Sequence, residues 1–294
     1  MDVEVIRRSG QQPLDELTPL LQAARERTHH EPLGEHKFLD LVHGGPDCFR
    51  GLIARDGRDV IGYAHLSRHG DRRWGLELVA EGSVRSDLAR RALDIVQDEG
   101  GGHLHLWVFK PTPSDDALAR GLGLKHGRDL LHMRVALPLD KTFGVPEGFV
   151  VRHFVPGTDE TEWLDVNNRA FAEHPEQGAW DRTTLDRRMS ESWFDPEGFL
   201  IAEDHKGMAG FCWTKLNHDC GEIYVIGVDP RAQSSGLGKV LVVKGLEHIA
   251  RHRDHGCLYV DAAQTMAVEL YTKLGFTEDH RDRAYIGEIP AFAA

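Results

Sequence analysis

A glycine-rich turn stands between an apolar strand and a helix in the second half of the chain. Residues 222–228 read Glu-Ile-Tyr-Val-Ile-Gly-Val, and residues 233–239 read Gln-Ser-Ser-Gly-Leu-Gly-Lys. The first backbone N–H groups of a helix have no partner inside the helix and lie at the positive end of its dipole, so such a turn can bind phosphate. Gly236 and Gly238 have no Cβ, which lets an anion approach the backbone. The turn therefore indicates a nucleotide-like cofactor.

Two side chains near this turn could move protons. Glu222 stands at the start of the strand that leads to the turn, and a carboxylate there can accept a proton from an amine, whose pKa is near 8 in water. It could equally be a solvated carboxylate at a strand start. Tyr271 lies four residues before Gly275, and its phenol, with a pKa of about 10, can donate to a leaving group. It could equally be a core aromatic residue on an amphipathic helix, so the residues alone leave both roles open.

An internal repeat shows which elements position these residues. Each half has two apolar strands, a helix, a strand, a second helix that ends at a glycine, and a final strand. Gly62 matches Gly210 and Gly123 matches Gly275, so one repeat is roughly half of the chain. The alternation predicts an α/β fold, a mixed sheet with packed helices, in two tandem domains. The last strands are expected at residues 131–137 and 283–287, each closing its own half.

The two domains are predicted to differ in chemistry. Residues 138–148 contain two prolines and two glycines, which predicts a first domain at 1–140 and a second at 146–294. The first half has no Gly-x-Gly at residues 79–87, and Ala119 stands where the second half has Tyr271. We expect a degenerate first domain that does not catalyse but supports the catalytic second one. Whether it binds a cofactor stays open.

Composition excludes several classes of protein. The chain has 294 residues and a formal net charge of −12, which disfavours a nucleic-acid partner. No run of about 18 apolar residues predicts a membrane span, and the first residues lack the apolar segment of a signal peptide. We therefore expect a cytoplasmic protein that acts on a small molecule, as a monomer.

Cysteine and histidine usage predicts neither disulfides nor a metal. The 4 cysteines form no Cys-x-x-Cys pair, so free thiols in a reducing compartment are expected. The 18 histidines are not accompanied by a compact cluster of cysteine and carboxylate ligands in the sequence. The cysteines are Cys48, Cys212, Cys220 and Cys257.

Two motifs resemble the GCN5-related N-acetyltransferase superfamily. Residues 233–238 match its Gln/Arg-x-x-Gly-x-Gly/Ala signature, whose loop holds the pyrophosphate of acetyl-CoA. Ala267, Tyr271 and residues 275–276 match its Asn-x-x-Ala-x-x-x-Tyr-x-x-x-Gly-Phe signature, with Gln264 in place of the asparagine. A Rossmann-type loop is the alternative, but the third glycine of that motif is absent. The resemblance implies acetyl-CoA as co-substrate. It implies these cofactor-binding residues: Ile226, Gly227, Val228, Gln233, Ser234, Ser235, Gly236, Leu237, Gly238, Lys239, Gln264 and Ala267.

The tandem layout resembles, more narrowly, the mycothiol synthase family. Residues 170–180, 193–198, 213–215 and 221–230 carry this resemblance. That family acetylates the cysteinyl amine of desacetylmycothiol (Cys-GlcN-Ins). The resemblance implies Glu222 as the catalytic base and Tyr271 as the acid. It implies these acceptor-binding residues: Glu35, Glu176, Lys215, Glu222 and Tyr259.

Two other functions remain open at this point. One is N-acetylation of another small amine, such as an aminoglycoside, or of a protein N-terminus. The other is a non-catalytic acetyl-CoA sensor, although an intact Glu222 and Tyr271 argue against it.

Overall fold

The computed structural model describes residues 2–7, 9–28, 30–44, 49–68, 70, 72–172, 180–218 and 220–292. Its contacts divide the chain into two compact units. Unit 1 consists of Met1–Asp129 and Arg281–Ala294, and unit 2 consists of Leu130–His280.

Unit 1 is an α/β unit built on a mixed sheet. Its strands lie in the order β1, β2, β3, β4, β5 and β12 (Thr277–Ile289). Strands β4 and β5 run parallel, and the other neighbours run antiparallel. Apolar side chains of α3 recur at three- and four-residue spacing and pack on this sheet. The elements are β1 (Asp2–Ile6), α1 (Gln11–Thr28), α2 (Glu35–His43), β2 (Phe49–Asp56), β3 (Asp59–Arg68), β4 (Arg73–Val79), α3 (Gly82–Asp98), β5 (Gly102–Phe109) and α4 (Pro113–Gly121).

Unit 2 repeats this architecture. Its strands lie in the order β6, β11, β10, β9, β8, β7, with β10 and β11 parallel and the other pairs antiparallel. The elements are β6 (Lys125–Ala136), β7 (Val150–His153), α5 (Glu160–Ala170), α6 (Arg182–Met189), β8 (Phe199–Asp204), β9 (Gly207–Leu216), β10 (Gly221–Val228), α7 (Leu237–Ile249), β11 (His255–Asp261), α8 (Thr265–Lys273) and β12 (Thr277–Ile289). β6 and β12 each cross from one unit to the other.

The sheet of unit 2 has a core on each face. One core joins α7 and α8 to the sheet and includes Leu241, Leu246 and Phe276. The other, which we call the aromatic core, joins α5 to the opposite face and includes Trp163 and Trp213. Helix α7 is apolar on most of its surface because it is buried along nearly its whole length.

The last strand of each half does not close its own half. Residues 130–136 of β6 pair with β11 of unit 2, and residues 282–289 of β12 pair with β5 of unit 1. The expectation that 131–137 and 283–287 each close their own repeat is therefore wrong. Because the two sheets are repeats, each offers an equivalent parallel strand as an edge, and apolar patterning does not say which edge a strand joins. The units consequently differ from the contiguous domains 1–140 and 146–294.

Among the residues that the structure describes, no helix is both long enough and apolar enough to cross a membrane.

Candidate active site

Strands β10 and β11 diverge in the middle of unit 2. Their parallel pairing joins Gly221, Glu222 and Ile223 to residues 256–258, whereas the pairing of β10 with β9 continues to Val228. Within the described part of the sheet, the backbone groups of residues 226–228 that point towards β11 are therefore not paired with β11. Backbone groups that leave a ladder must find other partners, so this edge can donate hydrogen bonds to a ligand.

A β-bulge reverses the side-chain alternation of β10 just after Glu222. Ile223 packs in the core beside α7, and Val225 packs in the aromatic core on the other face. The register shift lies between these two residues, with Tyr224 as the extra residue. Glu222 and Tyr224 share the α5 face of the sheet because they are two residues apart, and the bulge brings Val225 onto that face as well. Gly227 is required further along, because a Cβ there would lie 2.8 Å from the Phe211 ring.

The glycine-rich turn lies directly after β10 and begins α7. Gly236 is the N-cap of α7 with φ +83°, a left-handed conformation that favours glycine, and Ser234 also has a positive φ of 65°. A Cβ at Gly236 would meet nothing within 4 Å, and one at Gly238 would only reach Val228 at 3.6 Å. The turn is exposed on its outer side, so the space above both glycines is open to a ligand.

Electrostatics at this turn favour an anion. The first turn of α7 has no acidic residue, and Lys239 places its ammonium 4.0 Å from the centre of the Phe143 ring. The helix dipole and the Lys239 charge therefore act in the same direction. Ser235 accepts a hydrogen bond from the Leu237 N–H at 3.3 Å, which satisfies one early helix donor. The turn is therefore suited to an anionic ligand.

The second motif forms the start of α8. Gln264 is the N-cap of this helix and is exposed, and its carbonyl oxygen accepts hydrogen bonds from the N–H groups of Ala267 and Val268 at 3.0 Å. The amide side chain of Gln264 makes no capping hydrogen bond. It is therefore not occupied in holding the helix start.

Tyr271 is buried in the core between α8 and the sheet, with only 7 % of its surface exposed. Burial, with a smaller contribution from the Cys212 thiol, raises the pKa of Tyr271 to about 12. Cys212 is paired with Ile226 across the β9–β10 ladder. Tyr271, Cys212 and Ile226 pack in the same core of unit 2. The Tyr271 phenol stays protonated at neutral pH.

Glu222 lies on the sheet face opposite α7. Its Oε2 accepts a hydrogen bond from Asn217 Nδ2 at 2.9 Å, and Lys215 is its partner in the β9–β10 ladder. The side chain is half-buried. A fixed and partly accessible carboxylate of this kind can hold an ammonium group or accept its proton.

Aromatic residues surround the neighbouring lysine. Lys215 Nζ lies 4.6 Å from the ring centre of Trp193 and 5.4 Å from that of Tyr224. Tyr224 accepts a hydrogen bond from Arg188 Nε at 2.8 Å. The carboxylate and the aromatic rings of this face suit an ammonium group, and its cationic side chains can donate hydrogen bonds to hydroxyl groups.

Of the other residues expected to bind the acceptor, Tyr259 is the one that the structure describes in unit 2. Tyr259 is 43 % exposed on β11, and its ring centre is 4.8 Å from that of His132. It shares a sheet face with Cys257, the ladder partner of Glu222. Glu35 is the first residue of α2 in unit 1. Glu176 lies outside the described residues.

Sequence reasoning missed Asn217 and Arg188. Asn217 is five residues from Glu222 across the β9–β10 turn, a spacing that a hairpin prediction could have used. Arg188 is buried at 7 % exposure, with its guanidinium 4.1 Å from the Trp180 ring centre. No sequence motif marks it.

The pairing of the cysteines differs from the prediction. Cys220 and Cys257 form a disulfide, so the prediction of free thiols is wrong for these two residues. Their positions follow from the β10–β11 pairing, which 37 residues of intervening sequence conceal. Cys212 is a buried free cysteine, and Cys48 lies outside the described residues.

The corresponding region of unit 1 has different chemistry. A cavity of about 410 Å³ lies beyond the parallel pairing of β4 and β5, and its lining includes Arg85 and Lys110. The N-cap of α3 is Glu81, whose carboxylate forms an ion pair with Arg27 at 2.8 Å, whereas the N-cap of α7 is Gly236. A carboxylate at that helix start opposes a second anion. The residue corresponding to Tyr271 is the buried Ala119 on α4.

Diverging parallel strands, a glycine-rich turn at the next helix and a tyrosine on the following helix define an acetyltransferase of the GCN5-related (GNAT) class. Residues 162–276 match the Acetyltransferase (GNAT) family. A solved tandem GNAT protein from the clavulanic acid biosynthesis pathway superposes with a TM-score of 0.76 over 99 % of this chain and 100 % of its own, at 16 % sequence identity. That likeness concerns the fold. The fold of this class implies acetyl-CoA as the co-substrate.

Relatives that match nearly the whole chain identify its family within the acetyltransferases. A mycothiol acetyltransferase of Thermobispora bispora is 41 % identical over 285 residues, which cover 94 % of this chain and 95 % of the relative. One of Thermomonospora curvata is 40 % identical over 288 residues, with 94 % and 95 % covered. The chain belongs to the family of mycothiol acetyltransferases.

Proposed function

We propose that this protein transfers the acetyl group of acetyl-CoA to the cysteinyl amine of desacetylmycothiol, which gives mycothiol and CoA. The observation that carries the proposal is the single segment of residues 222–239. It places a fixed carboxylate, an open strand edge and an anion-binding turn in succession. Family membership supplies the identity of the acceptor.

We propose that Glu222 prepares the acceptor amine. The ammonium group loses a proton to this carboxylate, directly or through water, and the amine nitrogen then attacks the thioester carbonyl. An amine with a pKa near 8 needs only a modest base at neutral pH. The hydrogen bond from Asn217 holds the Glu222 carboxylate in place.

We propose that the open edge of β10 stabilises the carbonyl oxygen of the thioester. As the nitrogen attacks, negative charge develops on this oxygen, and N–H groups of residues 226–228 donate hydrogen bonds to it. Such fixed donors stabilise the transition state more than water does. The turn at residues 233–239 meanwhile holds the pyrophosphate, with Gln264 and Ala267 lining the cofactor beside it.

We propose that Tyr271 interacts with the sulfur atom of CoA as it leaves. Its pKa of about 12 lies well above that of an alkyl thiol, which is near 8.5, so complete proton transfer to the thiolate costs about 5 kcal/mol. We therefore propose that the phenol donates a hydrogen bond as the C–S bond breaks. The nitrogen loses its second proton to solvent, and the thiolate takes a proton from solvent. The base, the donors to the carbonyl oxygen and the donor to the sulfur are all protein groups, so the proposed reaction uses no metal.

The acceptor is proposed to contact Lys215 and Tyr259 of unit 2, and the family resemblance adds Glu176 and Glu35 as candidates. Desacetylmycothiol carries many hydroxyl groups and an ammonium group, which carboxylates and a lysine can bind. We propose further that unit 1 does not catalyse, and that the protein works as a monomer in the cytoplasm on small molecules, without nucleic acid or membrane.

A steady-state comparison of acceptors tests the proposal. The full chain is assayed with acetyl-CoA and desacetylmycothiol, glucosaminyl-inositol, an aminoglycoside and a peptide with a free N-terminus. We expect kcat/KM to be highest for desacetylmycothiol. Equal values for the acceptor without the cysteinyl group would reject the proposed substrate, and preference for the aminoglycoside or the peptide would replace it. A fragment that begins at residue 146 is unsuitable, because it lacks the strand that pairs with β11.

A further inference from the structure

Three metal-ligating side chains converge at the edge of unit 2 where β10 begins. Cys220 precedes β10, Cys257 lies on β11 and His132 lies on β6. Their ligand atoms all lie within 4.8 Å of one another. Cys220 and Cys257 are 5 % and 1 % exposed, and His132 is 8 % exposed. None of these residues takes part in the proposed acetyl transfer.

Strand register explains the convergence. Cys257 is the ladder partner of Glu222, and His132 is the partner of Tyr259. Side chains two residues apart on a strand share a face, so Cys257 and Tyr259 point the same way, with His132 beside them. Cys220 is two residues before Glu222. The sheet therefore holds the two cysteines and the histidine together before any ligand arrives.

A carboxylate orients the histidine. Asp279 Oδ2 lies 3.2 Å from His132 Nδ1 and 2.7 Å from His280 Nδ1. Metal-ligating histidines commonly donate one ring N–H to a carboxylate, which fixes the tautomer and directs the other nitrogen to the ion. The Asp279 contact assigns that function to Nε2 of His132.

We propose that Cys220, Cys257 and His132, with the disulfide reduced, bind a thiophilic divalent cation such as Zn²⁺. Two equivalents of a small thiol supply the two electrons and two protons that convert the disulfide into two thiols, and the small thiol leaves as its own disulfide. The cation then displaces the two thiol protons. Two thiolates and an imidazole are three of the four ligands of a tetrahedral zinc site, and water completes the set.

The ligand spacing is compatible with this ion. Zinc–sulfur and zinc–nitrogen bonds of about 2.3 and 2.1 Å separate the ligand atoms of a tetrahedral site by roughly 3.5–3.8 Å. The histidine nitrogen already lies within 4.8 Å of both sulfur atoms, and the two sulfur atoms move apart to this spacing when the disulfide is reduced. In a reducing compartment, a cysteine pair with a nearby histidine is more often a metal site than a permanent disulfide.

The bound cation would join β6, β10 and β11 where β10 and β11 are still paired. Glu222 lies two residues from one ligand and opposite another, so the ion fixes the strand that carries the proposed base. Its function is to position that strand, since no ligand contacts the reacting atoms. The inference does not depend on which amine the enzyme acetylates.

Metal content of the full chain tests the proposal. Protein reduced with a phosphine is incubated with Zn²⁺, freed of unbound ion by gel filtration, and analysed by mass spectrometry for zinc. We expect one zinc per chain in the reduced protein and none after the disulfide is reformed. Co²⁺ in place of Zn²⁺ should give thiolate-to-cobalt charge-transfer absorption, which reports sulfur ligands.

Variants separate this site from adventitious binding. Cys257→Ser and His132→Ala should each lose the stoichiometric zinc, Asp279→Asn should weaken binding about 10- to 100-fold, and Cys212→Ala should keep it. Oxidised wild type is the control that needs no substitution. The proposal is overturned if the reduced protein retains no zinc, or if oxidised protein or His132→Ala retains as much as reduced wild type.

Discussion

Replacing Gly236 by alanine tests whether the glycine-rich turn binds acetyl-CoA, provided that the effect on binding is distinguished from the effect of backbone strain on stability. Gly236 has φ +83°, and an added Cβ would meet no atom within 4 Å. The substitution therefore destabilises the protein through backbone strain and not through a steric clash. Because alanine also lowers the entropy of the unfolded chain, the net decrease in the free energy of unfolding is about 1 kcal/mol. In a chain of this size, that corresponds to a fall of roughly 2–4 °C in Tm.

Gly148 provides the matched control. It has φ +85° and equally open space around an added Cβ, but it lies outside the turn. Gly148→Ala should lose as much stability as Gly236→Ala. The two variants thus differ in the position of the methyl group and not in the strain it causes.

Binding of acetyl-CoA should distinguish the two variants. In the proposed binding mode, the new methyl group of Gly236→Ala occupies space that the pyrophosphate needs at the start of α7. We expect an increase in Kd of about tenfold, or 1.4 kcal/mol, by isothermal titration calorimetry, and an unchanged Kd for Gly148→Ala. The KM for acetyl-CoA should rise with little change in kcat. Equal Kd values for the two variants, at equal loss of stability, would refute the assignment of this turn.

Three further substitutions test the proposed proton transfers. Glu222→Gln keeps the size of the side chain but removes the base, so kcat should fall about 10²- to 10⁴-fold with an unchanged Kd for acetyl-CoA; an unchanged kcat would exclude Glu222 as the base. Asn217→Ala removes one hydrogen bond to that carboxylate and should lower kcat about tenfold, less than Glu222→Gln; an equal loss would argue against a supporting role. Tyr271→Phe should lower kcat while the Kd for acetyl-CoA stays unchanged. Because the pKa of Tyr271 is raised to about 12 from the ordinary 10, the folded state binds its proton more tightly than the unfolded chain, so this residue contributes stability below pH 10 that is lost as the pH rises to 12. Wild type should therefore lose about 2–3 kcal/mol more than Tyr271→Phe over that interval in urea unfolding, and parallel curves would contradict the buried phenol.

The elements were predictable because their signals are local. Apolar periodicity and helix-ending glycines such as Gly275 marked α7, α8 and the strands between them, and the structure confirms these elements. The glycine-rich turn was predictable for the same reason, since the left-handed conformation of Gly236 is a property of one residue and its neighbours.

Relations between distant segments were not predictable. Whether β6 joins β5 or β11 depends on which of two similar edges it meets, and one sequence does not encode that choice in its apolar pattern. The meeting of Cys220 with Cys257 likewise depends on strand register, and the two are 37 residues apart without a motif. The hydrogen bond from Asn217 to Glu222 requires the geometry of the β9–β10 turn.

The position of the new acetyl group tests the central claim most directly. Full-length enzyme is given acetyl-CoA and desacetylmycothiol, and the product is analysed by tandem mass spectrometry while kcat/KM is compared with that for glucosaminyl-inositol. The account predicts a single acetyl group on the cysteinyl nitrogen and a clear preference for desacetylmycothiol. Acetylation elsewhere, or turnover of glucosaminyl-inositol at the same kcat/KM, would contradict it.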